Sequence, residues 1–339
     1  MCGTPPKVVA AFSRKNREKE VFLRGEAVFF GHRLPNMQKK CYLCAEKEDH
    51  FRMQPTLNIR GQLMDLNRPR VMGILNLTPD SFYADSRCGA EEAVERARRM
   101  LDEGADMLDL GACSTRPASD PAGADEEWSR LEPALAAIRR ALPDALLSID
   151  TFRADIARRC VCDYGADLIN DVSGGDGDPA MFATVAELRV PYVLTHGFAT
   201  TVSATDTAQL LGEVARTLAQ RTQQLHELGV ADVILDPGFG FGKTLEQNYQ
   251  LLGALGDLMR AFPGYPLLVG ISRKSMIHRL LGISPEQALN GTTVLNTIAL
   301  QAGAHLLRVH DVREAVEAVA LVHNIQVQKA CFSHSESKI

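Results

Sequence analysis

Val71-Met-Gly-Ile-Leu-Asn-Leu-Thr-Pro-Asp80 is the stretch of sequence that separates two candidate folds. Its apolar part, through Leu77, is typical of a parallel strand that is buried on both faces. A doubly wound open sheet usually places a glycine-rich phosphate turn directly after its first strand. Here Thr78-Pro-Asp80 follows the strand, and that turn contains no glycine. The stretch therefore favours a closed barrel over an open sheet.

Seven further apolar runs of similar length follow this one. The eight predicted strands are Val71–Leu77, Asp106–Gly111, Ala145–Asp150, Asp167–Val172, Tyr192–His196, Val233–Asp236, Pro266–Ser272 and His305–Val309. The segments between the strands have helical periodicity, which places two apolar sets each on one helix face. These sets are Ala93, Val94, Ala97, Met100 and Leu101, and Val312, Ala315, Val316, Val319 and Ala320. Eight strand–helix units predict an α/β protein with a (β/α)8 TIM barrel.

The first 63 residues differ from the rest of the chain. They contain 12 Lys or Arg against 6 Asp or Glu, whereas the whole chain has a net charge of -5. Turn-forming residues interrupt any periodicity there, so we expect residues 1–63 to be a loosely ordered N-terminal extension. Residues 64–326 are then the barrel, and residues 327–339 are a C-terminal tail. Met64 could serve as an alternative start, so part of the extension could be absent from the natural product.

One feature of the extension could carry chemistry. Cys41-Tyr-Leu-Cys44, with His32 and His50 nearby, contains residue types that hold zinc. A strong zinc signature needs two matched pairs at regular spacing, and only one pair is present. Incidental residues are therefore the favoured interpretation over a metal site.

Composition excludes several classes of protein. The acidic net charge argues against nucleic acid as a partner, because phosphate binding requires a basic surface. There is no apolar run of about 18 residues that could cross a membrane, and residues 1–12 lack the pattern of a secretory signal. The eight cysteines are irregularly spaced, which is typical of a reducing compartment. We expect a cytoplasmic protein without a membrane partner.

Polar residues stand within or directly after the carboxyl-terminal part of every predicted strand. They are Asn76, Asp109, Asp150, Asn170, Asp171, His196, Asp236, Ser272, Arg273, Lys274, Ser275, Arg308 and His310. A single Asp after a strand is often only the N-cap of the next helix. In a barrel, however, the carboxyl ends of all eight strands meet at one mouth, where the chemistry of this fold takes place. The set as a whole predicts a polar site at that mouth.

Two local patterns refine the site. Arg308 and His310 are two residues apart in a strand, so their side chains share a face and suit an anion or a planar ring. The segment Gly238-Phe-Gly-Phe-Gly-Lys-Thr244 is similar to a P-loop, but Pro237 stands where that motif needs glycine. We expect these glycines to let a loop approach a ligand closely, with Phe239 or Phe241 as an aromatic wall.

Seven segments, in order along the barrel, resemble the successive motifs of dihydropteroate synthases. They are Val71–Phe82, Ser114-Thr-Arg-Pro117, Ser148-Ile-Asp-Thr151, Ile169-Asn-Asp-Val172, Leu235-Asp-Pro-Gly-Phe-Gly-Phe-Gly-Lys243, Ser272-Arg-Lys274 and Arg308-Val-His-Asp-Val312. The resemblance implies an enzyme of folate biosynthesis that condenses 6-hydroxymethyl-7,8-dihydropterin pyrophosphate with 4-aminobenzoate. The products are 7,8-dihydropteroate and pyrophosphate, and Mg²⁺ assists the leaving group. The resemblance also implies that the protein forms a homodimer.

The resemblance also implies a role for individual residues. The residues expected to bind the pterin are Asp150, Asn170, Asp236, Lys274 and Arg308. Those expected at the pyrophosphate are Asn76, Thr115, Arg116 and His310, and Asn76 matches the magnesium ligand. Those expected around 4-aminobenzoate are Phe82, Thr115, Pro117, Phe241 and Ser275. The expected catalytic residues are Asp150, Lys274, Arg308 and His310.

Three loops depart from the family pattern. Gly111-Ala-Cys113 replaces Gly-Gly-Glu, Tyr83-Ala-Asp-Ser-Arg87 replaces Ser-Asp-Gly-Gly, and Thr195-His-Gly197 replaces Met-His-Met. These loops lie near the aminobenzoate end, which sulfonamides also occupy. The chain could therefore be a Sul-type enzyme that resists these drugs, and ordinary divergence of a lineage explains the same changes.

Two other functions compete with this one. A pterin-binding methyltransferase, which passes a methyl group from a folate to a corrinoid, should lack the Ser114–Pro117 loop and the Arg308/His310 pair. A non-catalytic pterin-binding module should have lost residues such as Asn76 or Lys274. The sequence retains all of these residues, which favours the synthase.

Overall fold

The computed structural model describes residues 55–77, 86–113, 123–197 and 202–336. Eight of its strands are parallel and neighbour one another in one sheet: β3 (Arg70–Asn76), β4 (Met107–Gly111), β5 (Leu147–Asp150), β6 (Leu168–Asp171), β7 (Tyr192–Thr195), β8 (Val233–Asp236), β9 (Leu268–Val269) and β10 (Leu306–Val309). β10 pairs with β3, and the backbone N–H of Leu235 in β8 donates to the carbonyl of Pro266 before β9 at 2.9 Å. These contacts close the sheet, so the predicted (β/α)8 barrel is confirmed.

Helices cover the outside of the barrel. Within the described residues they are α1 (Ser86–Asp102), α2 (Ala124–Ala141), α3 (Ala154–Tyr164), α4 (Met181–Leu188), α5 (Thr207–Glu227), α6 (Leu245–Gly253), α7 (Leu255–Ala261), α8 (Ser275–Leu281), α9 (Leu289–Gln301) and α10 (Val312–Glu336), and a 3-10 turn spans Pro285–Gln287. Ala93, Ala97 and Met100 of α1 are buried as predicted. In α10 the prediction was wrong at Ala320, which is exposed, whereas Ala318 packs into the core. Ala318 lies within one turn of both Ala315 and Val322, so it shares their buried face.

A hairpin closes the amino-terminal end of the barrel. Strands β1 (Thr56–Ile59) and β2 (Gln62–Asp65) pair antiparallel, and Leu57 and Ile59 are buried. Both belong to an apolar cluster with residues near the amino-terminal ends of the barrel strands, including Met72 and Leu306. A (β/α)8 barrel has a packed interior rather than a pore, and this hairpin completes its base.

Arg60 fastens the hairpin to the barrel. With Gly61 it forms the two-residue turn, and both have positive φ angles, 53° and 77°. Such a turn prefers Asn-Gly, since few side chains tolerate this conformation. The Arg60 guanidinium donates to both carboxylate oxygens of Asp167 at 2.5 and 2.9 Å and to the carbonyl of Ala145 at 3.1 Å. The backbone N–H of Asn58 donates to Asp232 at 3.0 Å.

The structure corrects two expected boundaries. Residues 56–63 do not belong to a loosely ordered extension, because they form most of the hairpin that packs on the barrel. Residues 327–336 continue α10 instead of forming a separate tail. Residues 1–54, with Cys41, Cys44, His32 and His50, lie outside the described residues. Within the described ranges, no helix has the length and apolar character that a membrane crossing requires.

Candidate active site

Asp109 is the centre of a buried polar network inside the barrel. Its neighbours in β4, Leu108 and Leu110, belong to the core that faces the helices, so the period of two directs Asp109 inward. Asp109 is fully buried and accepts three hydrogen bonds. The donors are Ser148 Oγ at 2.5 Å, Asn170 Nδ2 at 2.9 Å and Arg308 Nε at 2.6 Å. The network joins strands that are distant in sequence.

Arg308 also reaches Asp150, through an Nη2 donor at 2.5 Å. Burial raises the pKa of Asp150 to about 7, and Arg308 opposes this shift. Burial alone lowers the pKa of Arg308, but the carboxylates of Asp109 and Asp150 together raise it above the usual value. The guanidinium therefore stays charged between two carboxylates. The structure brings three expected pterin residues, Asp150, Asn170 and Arg308, into one cluster.

Asp236 and Lys274 form a second part of the same site. Burial raises the pKa of Asp236, and Lys274 is the strongest influence that lowers it. The pKa of Lys274 falls to about 8, chiefly through burial, against the attraction of Asp236. Its ammonium donates to the carbonyl of Phe239 and lies 4.5 Å from the centre of the Phe241 ring. These contacts place the expected aromatic wall beside the expected pterin residues.

The backbone of Arg273 orients Lys274. Arg273 adopts a left-handed conformation, with φ 54°, which is strained for a residue other than glycine. Its guanidinium donates to both oxygens of Asp311 at 2.9 and 2.7 Å, and its backbone N–H donates to Thr292 Oγ1 at 3.0 Å. This double anchor holds the loop between β9 and α8 in place. Ser275 follows directly as the first residue of α8.

His310 and Asn76 lie at the edge of the same mouth. Ser272 Oγ is 3.0 Å from His310 Nδ1 and accepts from the backbone N–H of His310 at 3.1 Å, which fixes the imidazole. Asn76 ends β3 and pairs in register with Gly111, which in turn pairs with Asp150. The amide of Asn76 is thus level with Asp150, two strands away.

Lys243 is a partly buried residue that the sequence did not assign to the site. Its ammonium donates to the carbonyls of Gly238 and Phe241 at 2.9 and 3.1 Å and to His196 Nδ1 at 3.0 Å. It therefore pins the glycine-rich loop to the end of β7 and is not directed at a phosphate, as a P-loop lysine would be. Burial, reinforced by Lys243, lowers the pKa of His196 to about 3. The neutral ring accepts at Nδ1, so its proton lies on Nε2.

Five buried side-chain atoms have no hydrogen-bond partner within the part of the chain that the structure describes. Three of them lie at strand ends that face the mouth: Nε2 of His196, Oγ1 of Thr195 and Oδ1 of Asn170. Most buried polar atoms in proteins are paired, so an unpaired one at a strand end suggests a position for ligand or water. Asn170 thus binds Asp109 through its amide nitrogen and retains an acceptor.

The loops after β6 and β7 touch each other. A β-carbon at Gly197 would lie 2.4 Å from the carbonyl oxygen of Ser173, and one at Gly174 would lie 2.1 Å from that of Thr195. Both distances are shorter than any real contact, so only glycine fits either position. One of the three departures from the family pattern, Thr195-His-Gly197, is part of this contact.

Four expected site residues lie outside the described residues. They are Phe82, Thr115, Arg116 and Pro117. Cys113, the residue in place of the family glutamate, is partly buried. Within the described ranges there is no group of three or more His, Cys, Asp or Glu residues that could hold a metal ion.

Comparison with known proteins identifies a consistent set of relatives. The profile of a family described as pterin binding enzyme matches residues 72–310. Dihydropteroate synthase of Escherichia coli K12 is 38% identical over 269 residues, which cover 78% of this chain and 94% of that protein. The enzyme of Synechocystis is 39% identical over 282 residues, 81% of this chain and 94% of its own. A solved structure of Xanthomonas albilineans dihydropteroate synthase with 4-aminobenzoic acid is 39% identical, with a TM-score of 0.73, over 80% of this chain and 98% of that one.

Proposed function

Because the chain belongs to the family of pterin binding enzymes and, within it, to the dihydropteroate synthases, we propose that its mouth joins a pterin to 4-aminobenzoate. As a transferase of folate biosynthesis, it displaces pyrophosphate from 6-hydroxymethyl-7,8-dihydropterin pyrophosphate and releases 7,8-dihydropteroate. The observation that carries this proposal is the buried network of Asp109, Asn170, Asp150 and Arg308 at one end of the barrel. Carboxylates, an amide and a guanidinium are the groups that can pair with the donors and acceptors of a planar heterocycle.

The edge of the pterin ring supplies adjacent donors and acceptors to this network. Asp150 and Asp236 offer carboxylate acceptors, Asn170 retains an amide oxygen, and Lys274 offers donors. A buried site built to pair such groups rejects rings that leave them unpaired. In this proposal Arg308 lies against the ring face, where a planar guanidinium stacks well.

The reaction breaks the bond between the pterin methylene carbon and the pyrophosphate oxygen. The amine nitrogen of 4-aminobenzoate bonds to that carbon and loses a proton, while the electron pair of the broken bond leaves with pyrophosphate. Positive charge develops on the pterin if the old bond breaks ahead of the new one. The carboxylate of Asp150, beside the ring, then stabilises that charge electrostatically. Little turnover is expected from Asp150→Asn.

Leaving pyrophosphate gains negative charge, and residues at the edge of the mouth would receive it. His310, fixed by Ser272, stands at the end of β10, and Thr115 and Arg116 are proposed to join it. Mg²⁺ prefers to keep several waters and to take one or two protein oxygens together with substrate phosphates. The half-buried amide oxygen of Asn76 suits that coordination and would hold the ion. When bound, Mg²⁺ neutralises charge on the leaving group.

The aminobenzoate pocket is proposed to lie next to Phe241. Its ring packs near Lys274, and Ser275 follows at the start of α8. Phe82, Thr115 and Pro117 complete the proposed pocket.

We further propose that the departures at Cys113 and Gly197 weaken sulfonamide binding, because they change the surface beyond the substrate. A sulfonamide titration tests this: inhibition at concentrations that also stop the Escherichia coli enzyme would refute it.

We propose that two copies associate through α8, α9 and α10. Large apolar side chains on these neighbouring helices are each more than two-fifths exposed: Leu280, Leu281, Val294, Ile298, Leu321 and Ile325. Burying such side chains would stabilise a dimer through the hydrophobic effect. Sedimentation should show a dimer that Ile298→Glu dissociates. Leu228→Glu, at an exposed leucine beyond α5, should leave it intact.

Pyrophosphate release by the full chain tests the reaction directly. The assay contains Mg²⁺ and the pterin pyrophosphate, with and without 4-aminobenzoate. Release that depends on 4-aminobenzoate and is lost in Asp150→Asn supports the synthase. Asp155→Asn is the matched control, because Asp155 is exposed on α3. Pterin binding without release would refute the proposed reaction and leave a binding module or a methyltransferase.

A further inference from the structure

A cavity lies at the opposite end of the barrel from the proposed active site. Its volume is about 840 Å³, and its lining includes the hairpin turn Arg60-Gly61, the end of α2 and the end of α3. Asp167, at its floor, immediately precedes β6, whose other end carries Asn170. The proposed reaction uses none of these lining residues.

Positive charge dominates the lining. It contains four arginines, Arg60, Arg139, Arg140 and Arg189, against two carboxylates, Asp163 and Asp167. Two of the arginines have structural tasks, because Arg60 and Arg139 both bind Asp167. Arg139 also donates to backbone carbonyls around the end of α3. These two guanidinium groups neutralise Asp167 and shape the cavity.

The other two arginines have no such task. Arg140 and Arg189 are exposed, and neither side chain forms an ion pair or hydrogen bond with any residue that the structure describes. Arg189 follows α4 in a left-handed conformation, with φ 55°. Glycine is the usual residue at this point of a helix. The backbone N–H of Arg189 donates to the carbonyl of Val185 at 2.9 Å, but glycine could make the same capping bond, so the bond does not account for the arginine side chain.

We propose that this cavity binds a small phosphorylated molecule, with its phosphate on Arg140 and Arg189. Guanidinium groups match phosphate oxygens in bidentate geometry. The remaining wall includes Val161, Tyr164 and Val190, which offer an apolar surface to the organic part of the ligand. Asp163 also lines the cavity and repels anions, so the attraction must come from the two exposed guanidinium groups. The volume lies within the range of small-molecule sites.

Calorimetric titration of the full chain with inorganic phosphate and with AMP tests this site. The variant Arg140→Ala/Arg189→Ala should lose at least about tenfold in affinity for both probes, since two charge-assisted contacts are removed. Arg158→Ala is the matched control, because Arg158 is an exposed arginine of α3 outside the cavity lining and pairs with exposed Glu187. It should keep wild-type affinity. The double variant should also keep the wild-type unfolding temperature, because neither arginine has a partner to lose.

Phosphate could also bind at the catalytic mouth, and His310→Ala distinguishes the two sites, because the proposed reaction places the leaving pyrophosphate on His310. Affinity retained in His310→Ala and lost in the double variant supports the remote cavity. Affinity lost only in His310→Ala, or absent from the wild type, overturns the proposal. AMP should bind more tightly than inorganic phosphate, and equal affinities would overturn the role of the apolar wall.

Discussion

The hairpin at the base of the barrel should contribute strongly to stability, and one pair of leucines tests this. Leu57 in β1 is fully buried in the cluster at the barrel base, whereas Leu63 in β2 is 73% exposed. Replacing a buried leucine by alanine costs about 2–5 kcal/mol, from lost burial and from the cavity left behind. A substitution at an exposed position usually changes the free energy of unfolding by no more than about 0.5 kcal/mol. We therefore expect Leu57→Ala to destabilise the protein several-fold more than Leu63→Ala.

Urea unfolding of the full chain, followed by far-ultraviolet circular dichroism, measures this difference. Leu57→Ala should lower the free energy of unfolding by about 2–5 kcal/mol, with a lower midpoint and an unchanged slope. A chain that begins at Met64 should be less stable still, because it lacks Leu57, Ile59 and the anchor of Arg60 on Asp167. A chain that begins at residue 55 is its control. If Leu57→Ala and Leu63→Ala lowered the free energy of unfolding equally, the hairpin would not contribute to the stability of the barrel.

Four further outcomes are expected. The kcat/KM should rise through about pH 7, as Asp150 gains the negative charge that the pterin needs, and it should fall above about pH 8, as Lys274 loses its positive charge. In Lys274→Arg the fall at alkaline pH should move to a higher pH, and the rise near pH 7 should stay where it is. Gly240→Ala should lower kcat/KM roughly tenfold, because the new β-carbon would lie 3.1 Å from Lys274 Cδ and small displacements at a site are costly. Lys243→Met should raise the KM for 4-aminobenzoate more than that for the pterin, measured by varying each substrate in turn, because the loop that carries Phe241 loses its anchor. Arg189→Gly should raise the free energy of unfolding by about 0.5–1 kcal/mol in urea, because it relieves a left-handed conformation, whereas Arg189→Ala should not.

The barrel and its mouth were predictable because both follow from local patterns. Each strand is a short apolar run, and a polar residue at its carboxyl end must face the mouth once the barrel closes. The hydrogen bond between Arg308 and Asp109 was not predictable from pattern, since 199 residues separate them. Asp109 nonetheless gave a signal, as a charged residue within an otherwise apolar strand.

The hairpin and Lys243 show what the sequence concealed. Strand β1 offers only two alternating apolar residues, Leu57 and Ile59, and its turn is Arg-Gly where Asn-Gly is the usual signal. The anchor that permits this turn, Asp167, lies 107 residues away. The sequence places Lys243 in a segment that is similar to a P-loop. In the structure its ammonium donates to carbonyls of the same loop, and the directions of those carbonyls depend on how the loop folds.

The contact between the loops after β6 and β7 couples a substitution in one loop to the position of the other. Methionine at position 197, which the family pattern leads one to expect, would drive its β-carbon into the carbonyl oxygen of Ser173. Gly174 meets the same obstacle at Thr195. Neither position can therefore take a side chain until the other loop moves, so redesign of this part of the mouth requires paired changes in both loops.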